Sequence, residues 1–199
     1  MASDVDIANY ALTLLGESRI MSLDDDVKAA RECKAVYEIV RDSVLSAHNW
    51  SFAKSRAALS RLDSTPVFGF ANEFQLPVDC LRLFMVGDIY VGVDLSDYRN
   101  APTDEYTIED RKILTDWGAP LNIRYIRRVE DTARYSSTFV DAFGARIAER
   151  LAEPLTQSAV KREAAKDAYK AAISEAVRVN AIEQPPQKIP DDEWLLSRR

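Results

Sequence analysis

Two hydrophobic rhythms divide this chain. From Ser3 to Ala47, and again from Ser137 to Ala181, apolar residues recur every three to four positions, the period of amphipathic helices. Between these stretches the helical period is lost over roughly ninety residues rich in Pro, Gly, Val, Ile, Tyr and Phe. Beyond them the chain ends in PPQKIPDDEWLLSRR, which has no period.

Each helical stretch divides into two helices. Helix 1 opens at Ser3, with Asp4 and Asp6 where negative charge meets the positive helix end. Ile7, Ala11 and Leu14 form one stripe, Ala8, Leu12 and Leu15 the next, and Gly16 supplies a left-handed stop. Ser22 and Asp25 fit a capping box for helix 2, with Asp24, Asp25 and Asp26 in its first turn. Its stripe is Ala30, Cys33, Tyr37, Val40, Val44 and Ala47, ending near His48-Asn49, after which Trp50 and Phe52 lead into the middle region. Helix 3 starts around Ser137-Thr138, with Asp141 completing a second capping-box pattern. Phe139, Phe143, Ile147 and Leu151 give it a bulky face, and Pro154 is expected to stop it. Helix 4 runs from about Gln157 to Asn180 with a small-residue stripe of Ala165, Tyr169, Ala172, Ala176 and Val179, which suits close packing.

The middle region reads as four to six short, mostly antiparallel strands in a small sandwich or open barrel. FAKSRAALSRL alternates imperfectly and fits either a strand or an extension of helix 2. CLRLFMVGDIYVGV reads as a hairpin cornered at Gly87-Asp88. EYTIEDRKILTD offers Tyr106, Ile108 and Ile113 around a charged turn, and LNIRYIRRV alternates through Leu121, Ile123 and Tyr125. The fold class is therefore α+β, predominantly α: a four-helix bundle interrupted by a small antiparallel β insertion, with an extended C-terminal arm. The expected divisions are 1–50 and 136–182 for the bundle, 51–135 for the insertion and 183–199 for the arm.

Composition narrows the class. An apolar fraction of 47% and a charged fraction of 29% over 199 residues fit a chain able to bury a core. No apolar run reaches transmembrane length, and the acidic MASDVDIANYALTLLGE does not read as a signal peptide. Two cysteines are too few for a disulfide framework, which points to a reducing compartment. The formal net charge of −6 argues against sustained binding to a phosphate backbone. Arg124, Arg127 and Arg128, and the pair Lys161 and Arg162, are local clusters that read as solvated charges.

Candidate chemistry is sparse. The single histidine, His48, sits at a helix end with no nucleophile or carboxylate named beside it. Cys33 lies on an apolar stripe, and Cys80, at a strand start, fits core packing better than a reactive thiol. Three consecutive acids at Asp24–Asp26 point in different directions on a helix, so they fit its dipole better than a cation. No phosphate loop, nucleophile elbow or metal-ligand motif occurs in the sequence, so no catalytic residue, metal ligand or cofactor is assigned. The arm carries Ile189, then Trp194-Leu195-Leu196 behind Asp191-Asp192-Glu193, then Arg198 and Arg199. Its seventeen residues from Glu183 reach roughly 55 Å at ~3.3 Å each. These side chains read either as a docking motif for a groove on a neighbour or as a frayed end folded back on its own domain.

The order of these segments resembles the tail tubular protein A, or head-to-tail adaptor, family of short-tailed bacteriophages. The resemblance is carried by ALTLLGESRIMSLDDD, by RECKAVYEIVRDSVLSAHNWSFAKSRAAL and by FANEFQLPVDCLRL, and covers about the first 85 residues most clearly. Helices 3 and 4 agree in order only. The resemblance implies a helical domain interrupted by a β domain and assembly as a ring, a dodecamer in the virion, beneath the portal protein. It further implies an attachment site for the tail nozzle protein and a lumen that passes DNA without reading it. No catalytic residue carries over, so no enzyme is expected. The chain would be made in the bacterial host cytoplasm and reside in the virion, without membrane contact. Two other classes stay open: a helical protein-interaction module with no virion role, and a virion-associated cell-wall glycosidase, for which acids are abundant but unpaired by spacing.

Overall fold

A computed structural model describes residues 2–87, 89–91 and 105–183. Four helices carry the fold: α1 (Asp4–Leu15), α2 (Lys28–Ala47), α3 (Ser137–Thr156) and α4 (Ala159–Ile182). Helix α3 is the axis, packed by the other three, and this is why its small residues are buried along with its bulky ones. Phe139, Phe143, Ile147 and Leu151 are fully buried, but so are Ala142, Ala148 and Ala152. Gly144 of α3 lies under the Tyr10 ring of α1, where any side chain would collide with it.

Helix ends show which local signals prevail. At α1 the Ser3 hydroxyl accepts from the Asp6 amide at 3.2 Å while the Asp6 carboxylate accepts from the Ser3 amide at 2.9 Å, a reciprocal cap. Gly16 closes the helix at φ 69°, and Lys161 of α4 donates to the Leu15 carbonyl at 2.7 Å. Leu14, expected on a buried stripe, is 42% exposed.

The Ser22–Asp25 pattern does not start α2. Asp25 accepts instead from the Met21 and Ser22 amides at 2.8 and 3.1 Å, closing a turn, and α2 begins at Lys28 with no side-chain cap. The flanking acids reach forward to cations of the helix, Asp24 to Lys34 at 2.6 Å and Asp26 to Arg31 at 2.5 Å. At α3 the cap is Ser136, whose hydroxyl accepts from the Phe139 amide at 3.3 Å, rather than a Thr138–Asp141 box.

Pro154 does not stop α3, which runs to Thr156 and ends on Gln157 at φ 50°. The proline removes one hydrogen bond from the last turn only, Leu155 packs on the bundle core, and Lys28 donates to the Pro154 carbonyl at 2.5 Å. Helix α4 starts behind the Ser158 cap and extends two residues past Asn180.

The middle of the chain folds into seven strands among the described residues, one more than the upper expectation: β1 (Lys54–Leu59), β2 (Asn72–Gln75), β3 (Cys80–Val86), β4 (Ile89–Tyr90), β5 (Tyr106–Glu109), β6 (Lys112–Thr115) and β7 (Leu121–Arg127). They form a four-stranded sheet, order β1-β7-β3-β4, and a three-stranded sheet, order β2-β6-β5. Every pairing is antiparallel. The β5–β6 hairpin turns on Asp110 and Arg111, at φ 44° and 58°, because two consecutive left-handed residues match the twist of the strands they join. Leu59, Leu83, Val86, Leu121, Ile123 and Tyr125 of the larger sheet pack against Phe74, Leu76 and Ile113 from the other side. This is a sandwich with its own small core.

The opposite face of the larger sheet joins the bundle. Phe84, Met85 and Ile126 belong to the bundle's core, continuous with Trp50. The Trp50 indole donates to the Val44 carbonyl at 2.9 Å, and its ring meets Phe139 edge-on at 5.1 Å. Phe52 meets the same Phe139 ring at 5.0 Å and Tyr135 at 5.7 Å. An aromatic wall thus sits where the two parts meet. Arg128, just past β7, reinforces it by pairing with Asp42 of α2 at 2.8 Å.

Candidate functional site

No described side chain sits in a nucleophile–base–acid arrangement, and no group of three or more His, Cys, Asp or Glu among the described residues is placed to hold a metal ion. His48 is half-buried, edge-on to the Trp50 ring at 5.1 Å. Burial first, then the charges of Arg82 and Lys54, hold its pKa below the usual histidine value. Cys33 and Cys80 are buried, and burial pushes both thiols up to about 11, so neither is poised as a nucleophile at neutral pH. Asp24, Asp25 and Asp26 are committed to a turn and two ion pairs, as described above.

The cationic clusters rearrange. Arg124 and Arg127 lie three apart on one strand and so take opposite faces of the sheet, while Arg128 is spent on Asp42. Arg162 pairs with Glu153 at 3.1 Å, and Lys161 is the cap of α1. The arm candidates Ile189, Trp194, Leu195, Leu196, Arg198 and Arg199 lie outside the described residues.

What remains is surface. Single exposed apolar residues such as Ile39 are ordinary. The connection between β1 and β2 is different, because Val67 and Phe68 stand side by side at 98% and 87% exposure. Pro66 precedes them and Gly69, at φ 90°, follows, so the chain turns sharply and leaves both side chains outside. The base of this loop is fastened. Glu73 of β2 accepts from Ser64 at 2.8 Å and from Lys112 of β6 at 2.9 Å. The hydrogen bond from Lys112, with the one from Ser64, holds the Glu73 carboxyl below the usual carboxylate range. On the far side the Ala71 amide donates to Asp116 at 2.8 Å. An apolar pair on an anchored loop presents contact area at little ordering cost, the property of a docking element.

Sequence reasoning located this segment only as turn-rich and aromatic. The Pro66…Gly69 bracket around two apolar residues was the available signal, since turns carry their central side chains outward. Compared with known protein families and with curated proteins, the chain matches none. No helix of the described residues is long and apolar enough to cross a membrane.

Proposed function

We propose that this chain is a structural connector of a short-tailed phage virion, similar in role to the tail tubular protein A adaptors. It would assemble as a ring under the portal protein and present an attachment site for the tail nozzle protein, with DNA passing through its lumen unread. In this reading it acts without catalysis or a cofactor. The observation that carries the reading is the Val67–Phe68 tip, an exposed apolar pair held at the end of an anchored loop on the β sandwich. Such a tip is unfavourable on a lone chain, by about 25 cal/mol for each Å² of apolar surface left in water, and useful on a part that is covered by neighbours.

The stretches that carry the resemblance support the same reading by where they fall. ALTLLGE is the end of α1 with its Gly16 stop, the long second stretch runs from α2 past Trp50 and Phe52 of the aromatic wall into β1, and FANEFQLPVDCLRL spans β2 and Cys80–Leu83 of β3. Mixing the protein with the portal of its own virion tests the proposal. Mass photometry and negative-stain micrographs should show rings on the portal; a mass that stays that of the separate components would overturn it.

A further inference from the structure

The seam between bundle and sandwich is lined by cations on its sheet side. Lys54 of β1 and Arg82 of β3 both stand opposite Ile126 of β7, which is fully buried in the bundle core. Both cations are half-buried. The Lys54 ammonium lies over the Phe84 ring at 5.7 Å, and the Arg82 guanidinium donates to the Asn49 side chain at 2.6 Å. Among the described residues the buried Arg82 Nε has no acceptor. A buried donor in that state has lost water without replacing it, so the seam already holds this charge at a cost.

His48 meets these charges from the helix side. It caps the end of α2, on the stretch that carries the chain from the bundle into β1. Its ring packs edge-on to Trp50 at 5.1 Å, and Trp50 is itself fully buried and tied to the Val44 carbonyl. Asn49, which holds Arg82, is the next residue. The charges that act on His48 are those of Arg82 and Lys54, and Arg124 of β7 acts in turn on Lys54. Acids on the flanking elements are engaged elsewhere. Asp42 of α2 pairs with Arg41 and Arg128, and Glu183 at the end of α4 accepts from the Ser51 hydroxyl at 3.1 Å.

We propose that protonation of His48 loosens the seat of the sandwich on the bundle while both parts stay folded. The neutral ring sits beside Arg82 and Lys54 without repelling them. The imidazolium adds a positive charge to a half-buried seam, where like charges are poorly screened. Parting the α2–β1 connection from β3 returns the imidazolium and the Arg82 guanidinium to water. The open form therefore binds the proton more tightly than the closed one, so falling pH favours it. Burial and the two cations hold the closed-form pKa below the usual histidine value. The closed seat is thus fully favoured above the open-form pKa and is lost as pH falls through the closed-form one. The inference concerns the isolated chain and stands apart from the connector reading.

The test uses the full chain labelled at neutral pH for energy transfer at two exposed positions, Ile39→Cys on α2 and Val67→Cys on the sandwich, with Cys33 and Cys80 buried. His48 is the single histidine, so its ring-proton resonance reports its titration directly. At about pH 7.5 one narrow label distance is expected. As the resonance titrates between about pH 7 and about pH 5, the distance distribution should broaden severalfold while far-UV circular dichroism holds. His48→Gln should stay narrow throughout, and His48→Arg should be broad already at neutral pH. His48→Gln decides the matter if His48→Arg folds poorly. Four results overturn the proposal. The distance could stay unchanged once the resonance reports the imidazolium, or the resonance could fail to titrate before the chain unfolds. Broadening shared by His48→Gln would assign the change to other groups. Loss of circular dichroism together with the distance change would leave global unfolding alone.

Discussion

The side-chain amide of Asn180 donates to the Asn49 carbonyl at 3.1 Å, across 131 positions of sequence. Its oxygen accepts from the Ser51 amide at 2.8 Å, so one buried side chain bridges the backbone on both sides of Trp50. Asn180→Ala removes both bonds where water enters poorly, and should cost about 1–3 kcal/mol. Urea unfolding followed by far-UV circular dichroism reads this directly. A loss indistinguishable from that of an exposed α4 alanine substitution would show that the bridge contributes nothing.

Gly144→Ala tests the closeness of α1 and α3. Replacing a mid-helix glycine normally gains about 1 kcal/mol. Here the new methyl overlaps the Tyr10 ring, and overpacking of that kind costs about 1–3 kcal/mol. The variant should melt below the parent, and Tyr10→Ala in the same chain should remove the penalty of the added methyl.

His48 links stability to pH. Its folded pKa lies below the unfolded value because burial, Arg82 and Lys54 all disfavour the imidazolium. A depressed pKa means the unfolded chain binds the extra proton first, so this contribution is complete above the unfolded pKa and is lost as pH falls through the folded one. Between about pH 7 and about pH 5 the parent should therefore lose more stability than His48→Gln. Parallel melting curves for the two proteins across that range are the check.

Val67→Ser/Phe68→Ser should leave stability within about 0.5 kcal/mol, because neither side chain is buried. The same variant should assemble poorly with the portal. Full assembly at unchanged melting temperature would take the tip out of the contact.

Both thiols should be silent toward a disulfide reagent at neutral pH and react once urea unfolds the chain, since burial raises each to about 11. Rapid reaction of the native protein would mean that one of these sites opens to solvent.

Much of the α part was legible because periodicity is a local signal: the buried faces of α1 to α3 follow Ile7–Leu12, Ala30–Val44 and Phe139–Leu151. The α2 start differs from the sequence expectation because Ser22 and Asp25 satisfy nearby amides in a turn just as they would in a cap. Pro154 does not end α3 because a proline in a last turn removes a single bond while packing at Leu155 persists. In the β part, β2 is four residues long, too short for alternation to register. The grouping of arginines on the bundle side of the larger sheet is not a local signal. Arg56, Arg82 and Arg124 are far apart in sequence, and only the β1–β7–β3 register brings them to one side. Sequence neighbours Arg124, Arg127 and Arg128 looked like the cluster and are not one.

The strands that carry the chain into and out of the sandwich are direct partners, with Lys54 facing Ile126. Paired residues on antiparallel strands sit about 5 Å apart, so the two crossings of the chain lie side by side, next to the face whose Phe84, Met85 and Ile126 join the bundle core. Insertions joined in this way impose almost no spacing demand on their host. A unit exchanged at this point would have to bring, besides two strand ends that fit the gap, an apolar underside to replace Phe84, Met85 and Ile126 against the helices.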